Sequence, residues 1–259
     1  MGMALGVFLV KYCKREAVGL EVDVISTEVS DIETEYVGET EHIEEIVHIE
    51  ETECIEVTEE QLKYEFVESD VSYFSDALFV GDSRCVGIAE YGILDAATFF
   101  VIPGMSIHSV WNNVLPVEGI GDTNLQTLLE TNTYGKIYIM LGYNELGYNQ
   151  DYSARRYQEA LDRIHEMQSD AIIYICANLH VTEALSSTSD RFNNVNIDSY
   201  NEKLRALADE KTYFYLDINE KFDDENGNLG DQYSGDDTHL YVQYYKEWSL
   251  WLCERTIVK

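Results

Sequence analysis

Four short stretches of this 259-residue chain set nucleophilic or hydrogen-bonding side chains beside glycine, just past apolar runs or ahead of a helical pattern. The first is Phe79-Val80-Gly81-Asp82-Ser83-Arg84, with helix-like spacing starting near Cys85. A serine at a helix N-terminus lies where partial positive charge favours a developing anion, which suits a nucleophile. The same Asp-Ser pair is also an ordinary helix cap. The second stretch, Pro103-Gly104-Met105-Ser106, has a glycine whose N–H could face a crevice with no side chain in the way. In the third, Leu141-Gly142-Tyr143-Asn144-Glu145, Asn144 offers an amide donor, although asparagine before a helix also caps. The fourth, Ser234-Gly235-Asp236-Asp237-Thr238-His239, spaces an aspartate three residues before a histidine. A carboxylate so placed accepts the Nδ1 proton and leaves Nε2 as a base. Brought together, the four would make one acyl-transfer site: Ser83 would attack, His239 would take its proton and Asp236 would fix the tautomer, while Ser83 N–H, Gly104 N–H and the Asn144 amide would hold the oxyanion.

Such a set works only if the backbone brings the four stretches to one place. Residues 77–80, 98–102, 136–141, 171–177 and 213–216 are β-branched or aromatic runs of strand length, bounded by Gly, Asn or Asp. Between and after them lie helix-like spacings: Tyr157, Leu161, Ile164 and Met167; Tyr200, Leu204 and Leu207; and Tyr241, Tyr245, Trp248 and Leu252. Strand and helix in alternation predict an α/β domain with a parallel sheet, whose ligands bind at the carboxyl ends of the strands. Three of the stretches stand just past such ends.

The motifs resemble those of the SGNH or GDSL hydrolases. Gly81-Asp82-Ser83 is similar to the first family block, Gly104 to the block-two glycine, Gly142-Tyr143-Asn144 to the block-three Gly-x-Asn, and Asp236 with His239 to the closing Asp-x-x-His. The resemblance runs in the family's order over residues 74–259. It implies a three-layer α/β/α, flavodoxin-like fold on a mostly parallel five-stranded sheet, and hydrolysis of a carboxylic ester through an acyl-serine without cofactor or metal. Substrates then range over acetylated sugars, cell-wall polymers, lysophospholipids and acyl thioesters. Two positions depart from the pattern: Arg84 replaces the family leucine and Glu145 stands where aspartate is usual, which bears on substrate preference. A binding module that has lost its chemistry and an O-acyltransferase are the competing readings. Activity is expected to fall on acidification as His239 protonates, near about pH 6.5.

The expected rim is polar and aromatic, with Tyr143, Tyr148, Asn149, Asn178, His180 and Tyr241. Aromatic faces beside amide and phenol donors suit a carbohydrate, so the favoured substrate is a small acyl group, acetyl, on a glycan. Arg84, Tyr143, Glu145, Asn178, His180 and Tyr241 are the expected substrate contacts. His108 and His165 fall in helical patterns and read as surface or packing residues, and Cys85 reads as core filler.

Composition sets the remaining limits. Seventeen Lys and Arg against forty-nine Asp and Glu give a net charge of −32, which repels phosphate backbones and excludes nucleic acid as a partner. At 45% hydrophobic the chain can bury a full core. The five cysteines are scattered and odd in number, so they frame neither disulfides nor zinc. Residues 21–70 carry nineteen acidic side chains and one basic, Lys63. Residues 21–72 therefore read as a poorly ordered acidic linker or stalk ahead of a catalytic domain at 73–259. His42 and His48, within that run, read as solvated rather than metal-binding. Residues 1–20 join a short apolar stretch to Lys11, Lys14 and Arg15, as a trimmed membrane anchor would, and the expected location is a bacterial cell surface.

Overall fold

The computed structural model describes residues 64–259. The expectations for residues 1–20, for His42 and His48, and for most of the acidic segment lie outside the described residues.

Among the described residues seven strands form: β1 (Ala77–Gly81), β2 (Thr98–Val101), β3 (Val114–Val117), β4 (Gly121–Asn124), β5 (Lys136–Met140), β6 (Ile172–Cys176) and β7 (Tyr213–Leu216). Five of them make one sheet in the order β2-β1-β5-β6-β7, with every pairing parallel. These are the five apolar runs of the sequence, and the order is that of a flavodoxin-like doubly wound sheet. β3 and β4 form a separate antiparallel hairpin that the sequence reading missed.

Both faces of a parallel sheet must be covered, and alternate residues divide between them. Leu78, Val80, Ile137, Ile139, Ile173 and Ile175 face one core. Over it lie α2 (Leu125–Thr131), α3 (Gln150–Met167) and α5 (Asn194–Arg205), which contribute Leu128, Tyr157, Leu161, Ile164, Ile197 and Leu204. A short α4 (Glu183–Thr188) precedes α5 and buries no side chain. The opposite face carries aromatic rings in register. Phe79 stacks on Tyr138 at 4.5 Å and Tyr138 on Tyr174 at 4.4 Å, each from the neighbouring strand. That face is covered by α1 (Ser83–Tyr91), a short α6 (Asn219–Phe222) and α7 (Val242–Cys253), through Cys85, Ile88, Phe222, Trp248 and Leu252. Cys85 is core filler, as its spacing predicts.

The body begins earlier than the expected boundary at residue 73. Val67 and Thr256 exchange backbone hydrogen bonds of 2.9 and 3.1 Å, Ser69 N–H donates to the Cys253 carbonyl, and Lys259 Nζ lies 5.6 Å from the centre of the Tyr64 ring. Backbone pairing with the C-terminal segment thus holds residues that acidic composition alone assigns to a linker. His108 sits in a turn rather than a helix, whereas His165 lies in α3. Among the described residues, no helix is long and apolar enough to cross a membrane.

Candidate active site

The chain leaves β1 toward β2 on one side and leaves β5 toward β6 on the other. That reversal opens a crevice at the carboxyl ends of β1 and β5. Ser83 stands two residues past β1 and Asn144 four past β5, so the first and third stretches flank it. Asp82 caps α1, its carboxylate accepting the Arg84 N–H at 3.1 Å, which places Ser83 as the first residue of the helix.

The fourth stretch reaches the same place from just ahead of α7. Ser83 Oγ lies 2.8 Å from His239 Nε2, and His239 Nδ1 lies 2.8 Å from Asp236 Oδ2. The aspartate also accepts the backbone N–H groups of His239 at 2.7 Å and Thr238 at 3.1 Å. Burial alone would raise its pKa, but those two N–H groups and the imidazole outweigh it and hold the carboxyl at about 2. Between them Asp237 adopts a φ of 69°, a conformation few non-glycine residues take. Thr182 secures it, donating its N–H to the Asp237 carbonyl and its hydroxyl to the Asp237 carboxylate at 2.7 Å.

Gly104 has a φ of 80°, so its place in the turn after β2 favours glycine by conformation; an added Cβ would meet no atom within 4 Å. The Asn144 amide donates to the Met105 carbonyl at 2.9 Å, which ties the Gly104 turn to the turn after β5. Arg191 braces the same turn by donating to the Asn144 carbonyl at 2.9 Å.

Four expected substrate contacts are corrected. Arg84 is 4% exposed: its guanidinium is turned inward onto Asp82, at 3.1 and 2.6 Å, and onto Asn178. Glu145 is also buried, and one carboxylate oxygen accepts the Ile107 N–H. Desolvation pushes its pKa up to about 7, with the Ile107 N–H and Arg84 pulling down and Asp82 pushing further up. Asn178 is buried in a network with Asn201 and Asn219, against Gly142, whose φ of 139° and missing Cβ admit it; a Cβ there would lie 2.5 Å from the Asn178 amide. His180 is clamped between Asp223 at 2.9 Å and Asp198 at 2.8 Å, so both ring nitrogens are occupied. It lines a depression of about 430 Å³ that includes neither Ser83 nor His239. These polar residues found internal partners, which strand-end position alone does not reveal.

Tyr143 and Tyr241, the other two expected contacts, lie beside the turn that carries Asp236 and His239. The Tyr143 hydroxyl lies 3.5 Å from Thr238 Oγ1, and Tyr241 is 46% exposed beside Gly235. Asp82, Thr182 and Arg191 were missed. Only Asp82 carried a signal, as a cap residue ahead of a helix.

A doubly wound sheet with a serine, histidine and aspartate in hydrogen-bonded sequence at its switch point defines a hydrolase of the α/β/α class. The chain belongs to the GDSL-like Lipase/Acylhydrolase family, whose model matches residues 107–246. The match contains Asn144, Asp236 and His239, while Ser83 lies ahead of it and joins them through the sheet. Among solved structures, the chain is similar to a Streptococcus pneumonia protein provisionally described as a platelet activating factor, at 19% identity and a TM-score of 0.54 over 69% of this chain and 81% of that one. A provisionally assigned lipolytic protein of the G-D-S-L family from Desulfitobacterium hafniense DCB-2 matches at 12% identity and a TM-score of 0.51, covering 68% and 97%. A GDSL-like lipase from Bacteroides thetaiotaomicron VPI-5482 matches at 15% identity and a TM-score of 0.50, covering 68% and 84%. At these identities the likeness is one of fold. No curated protein matches the sequence.

Proposed function

We propose that this hydrolase cleaves a carboxylic ester through an acyl-Ser83 intermediate, and that its substrate is a glycan carrying a small acyl group, acetyl. The observation that carries the mechanism is the unbroken line from Ser83 Oγ through His239 to Asp236, with both links at 2.8 Å. Ser83 Oγ bonds to the carbonyl carbon as His239 Nε2 takes its proton. The oxyanion rests on Ser83 N–H, Gly104 N–H and the Asn144 amide until the C–O bond breaks, and the alcohol leaves with the proton from His239. Water, deprotonated by His239, then attacks the acyl carbon and releases the acid and the free serine.

The glycan reading is supported by exposed aromatic faces close in sequence to the oxyanion turns. Tyr148 is 60% and Tyr152 49% exposed, and both pack against His108, which lies four residues past Gly104. Flat aromatic surface beside polar groups is what a pyranose ring packs on. A tether at a cell surface belongs to the same proposal and is read by fractionating cells.

The test is a panel of acetylated oligosaccharides and acyl-chain esters, assayed on wild type and Ser83→Ala, with fluorophosphonate labelling alongside. Labelling of Ser83 and deacetylation of the oligosaccharides, both lost in Ser83→Ala, are expected. Preference for long acyl chains would replace the glycan by a lipid, and product that forms only with an added acceptor alcohol would make the enzyme a transferase.

A further inference from the structure

Arg84 stands where the family motif has leucine, and its surroundings give it work that leucine cannot do. The guanidinium grips both carboxylate oxygens of Asp82, donates to Asn178 at 3.3 Å and lies 4.7 Å from the centre of the Tyr143 ring. It thereby joins the ends of β1, β5 and β6. Asp82, 1% exposed, is the residue before the nucleophile. One of its oxygens lies 3.5 Å from the Asn144 amide nitrogen, longer than an ordinary hydrogen bond. That amide has two protons. One is directed to the Met105 carbonyl at 2.9 Å, and the other is the one an oxyanion would use. A buried, unpaired carboxylate at Asp82 would compete for it and would set a negative charge beside the position where negative charge develops.

We infer that Arg84 is a positioning residue for ester hydrolysis: its two-point pairing with Asp82 neutralises that carboxylate and leaves the second Asn144 amide proton for the oxyanion. The inference rests on the acyl-serine reading above. It concerns a transition-state interaction, so its loss appears in kcat rather than KM.

The experiment compares Arg84→Leu with the double variant Asp82→Asn, Arg84→Leu, using 4-nitrophenyl acetate as substrate and thermal unfolding to check folding. Arg84→Leu should lower kcat by about 10- to 100-fold with KM within about twofold of wild type, and removing the orphaned charge in the double variant should restore about tenfold. Where Arg84→Leu does not fold, Arg84→Gln with and without Asp82→Asn gives the same comparison. An unchanged kcat in the folded single variant overturns the inference, as does a folded double variant no faster than the single. A wild type that neither hydrolyses 4-nitrophenyl acetate nor labels at Ser83 fails at the earlier step and takes both readings with it.

Discussion

At the level of single residues, the candidate site combines one carboxylate held ionised with one held near neutrality. Asp236 stays charged down to about pH 2, so its own titration does not account for activity changes near neutrality. Replacing Asp236 by Asn should lower kcat by about 10⁴-fold while leaving Ser83 in place, read by steady-state kinetics. Truncating Asn144 to Ala should lower kcat by about 10²- to 10³-fold, since one oxyanion donor is worth that much. Glu145 has the opposite character, its carboxyl raised from 4.5 to about 7 by burial first. The fold binds that proton more tightly than the unfolded chain does. The resulting stabilisation is complete below about pH 4.5 and is lost as the pH rises through 7, about 3 kcal/mol in all. Glu145→Gln keeps an acceptor for the Ile107 N–H without the charge, so its melting temperature should exceed that of wild type at pH 8 and converge with it at pH 5.

At the level of elements, the Ser83 to His239 distance is set by helix packing. Helix α1 begins at Ser83 and α7 begins three residues past His239, and the two meet where Gly87 faces the Tyr245 ring. A Cβ on Gly87 would lie 2.1 Å from that ring. Gly87→Ala should therefore cost about 1–3 kcal/mol in a urea titration and lower kcat together with stability, because the helices that hold the two groups are pushed apart. The five sheet strands were legible because each is an unbroken apolar run between turn residues. The β3–β4 hairpin was not, since each strand has four residues and Pro116 argues against a strand. Val114 and Pro116 face outward while Leu115 and Val117 are buried, an alternation that the uniformly apolar Val-Leu-Pro-Val does not display in sequence. Ser83 and Asn144 were legible as residue types at strand ends, and Asp236 with His239 as an Asp-x-x-His spacing ahead of a helix. The inward turn of Arg84, Glu145, Asn178 and His180 was not: Arg84 folds back onto its near neighbour Asp82, and the other three depend on partners distant in sequence, Ile107 for Glu145, Asn201 for Asn178 and Asp223 for His180.

At the level of the whole molecule, a net charge of −32 sets how charged esters arrive. For an anionic acetylated uronide, kcat/KM should rise as salt goes from about 10 mM to about 0.5 M, while a neutral acetylated oligosaccharide shows little change. Stopped assays across that range read the difference. The backbone pairing of Val67 with Thr256, and the approach of Lys259 to Tyr64, have a consequence for connectivity. Where the polypeptide enters and leaves the hydrolase body, its two ends stand side by side. A short bridge from 259 to 64, with fresh termini opened at the exposed tip 118–120 of the β3–β4 hairpin, would permute the order of segments and leave all five parallel strands beside their present neighbours.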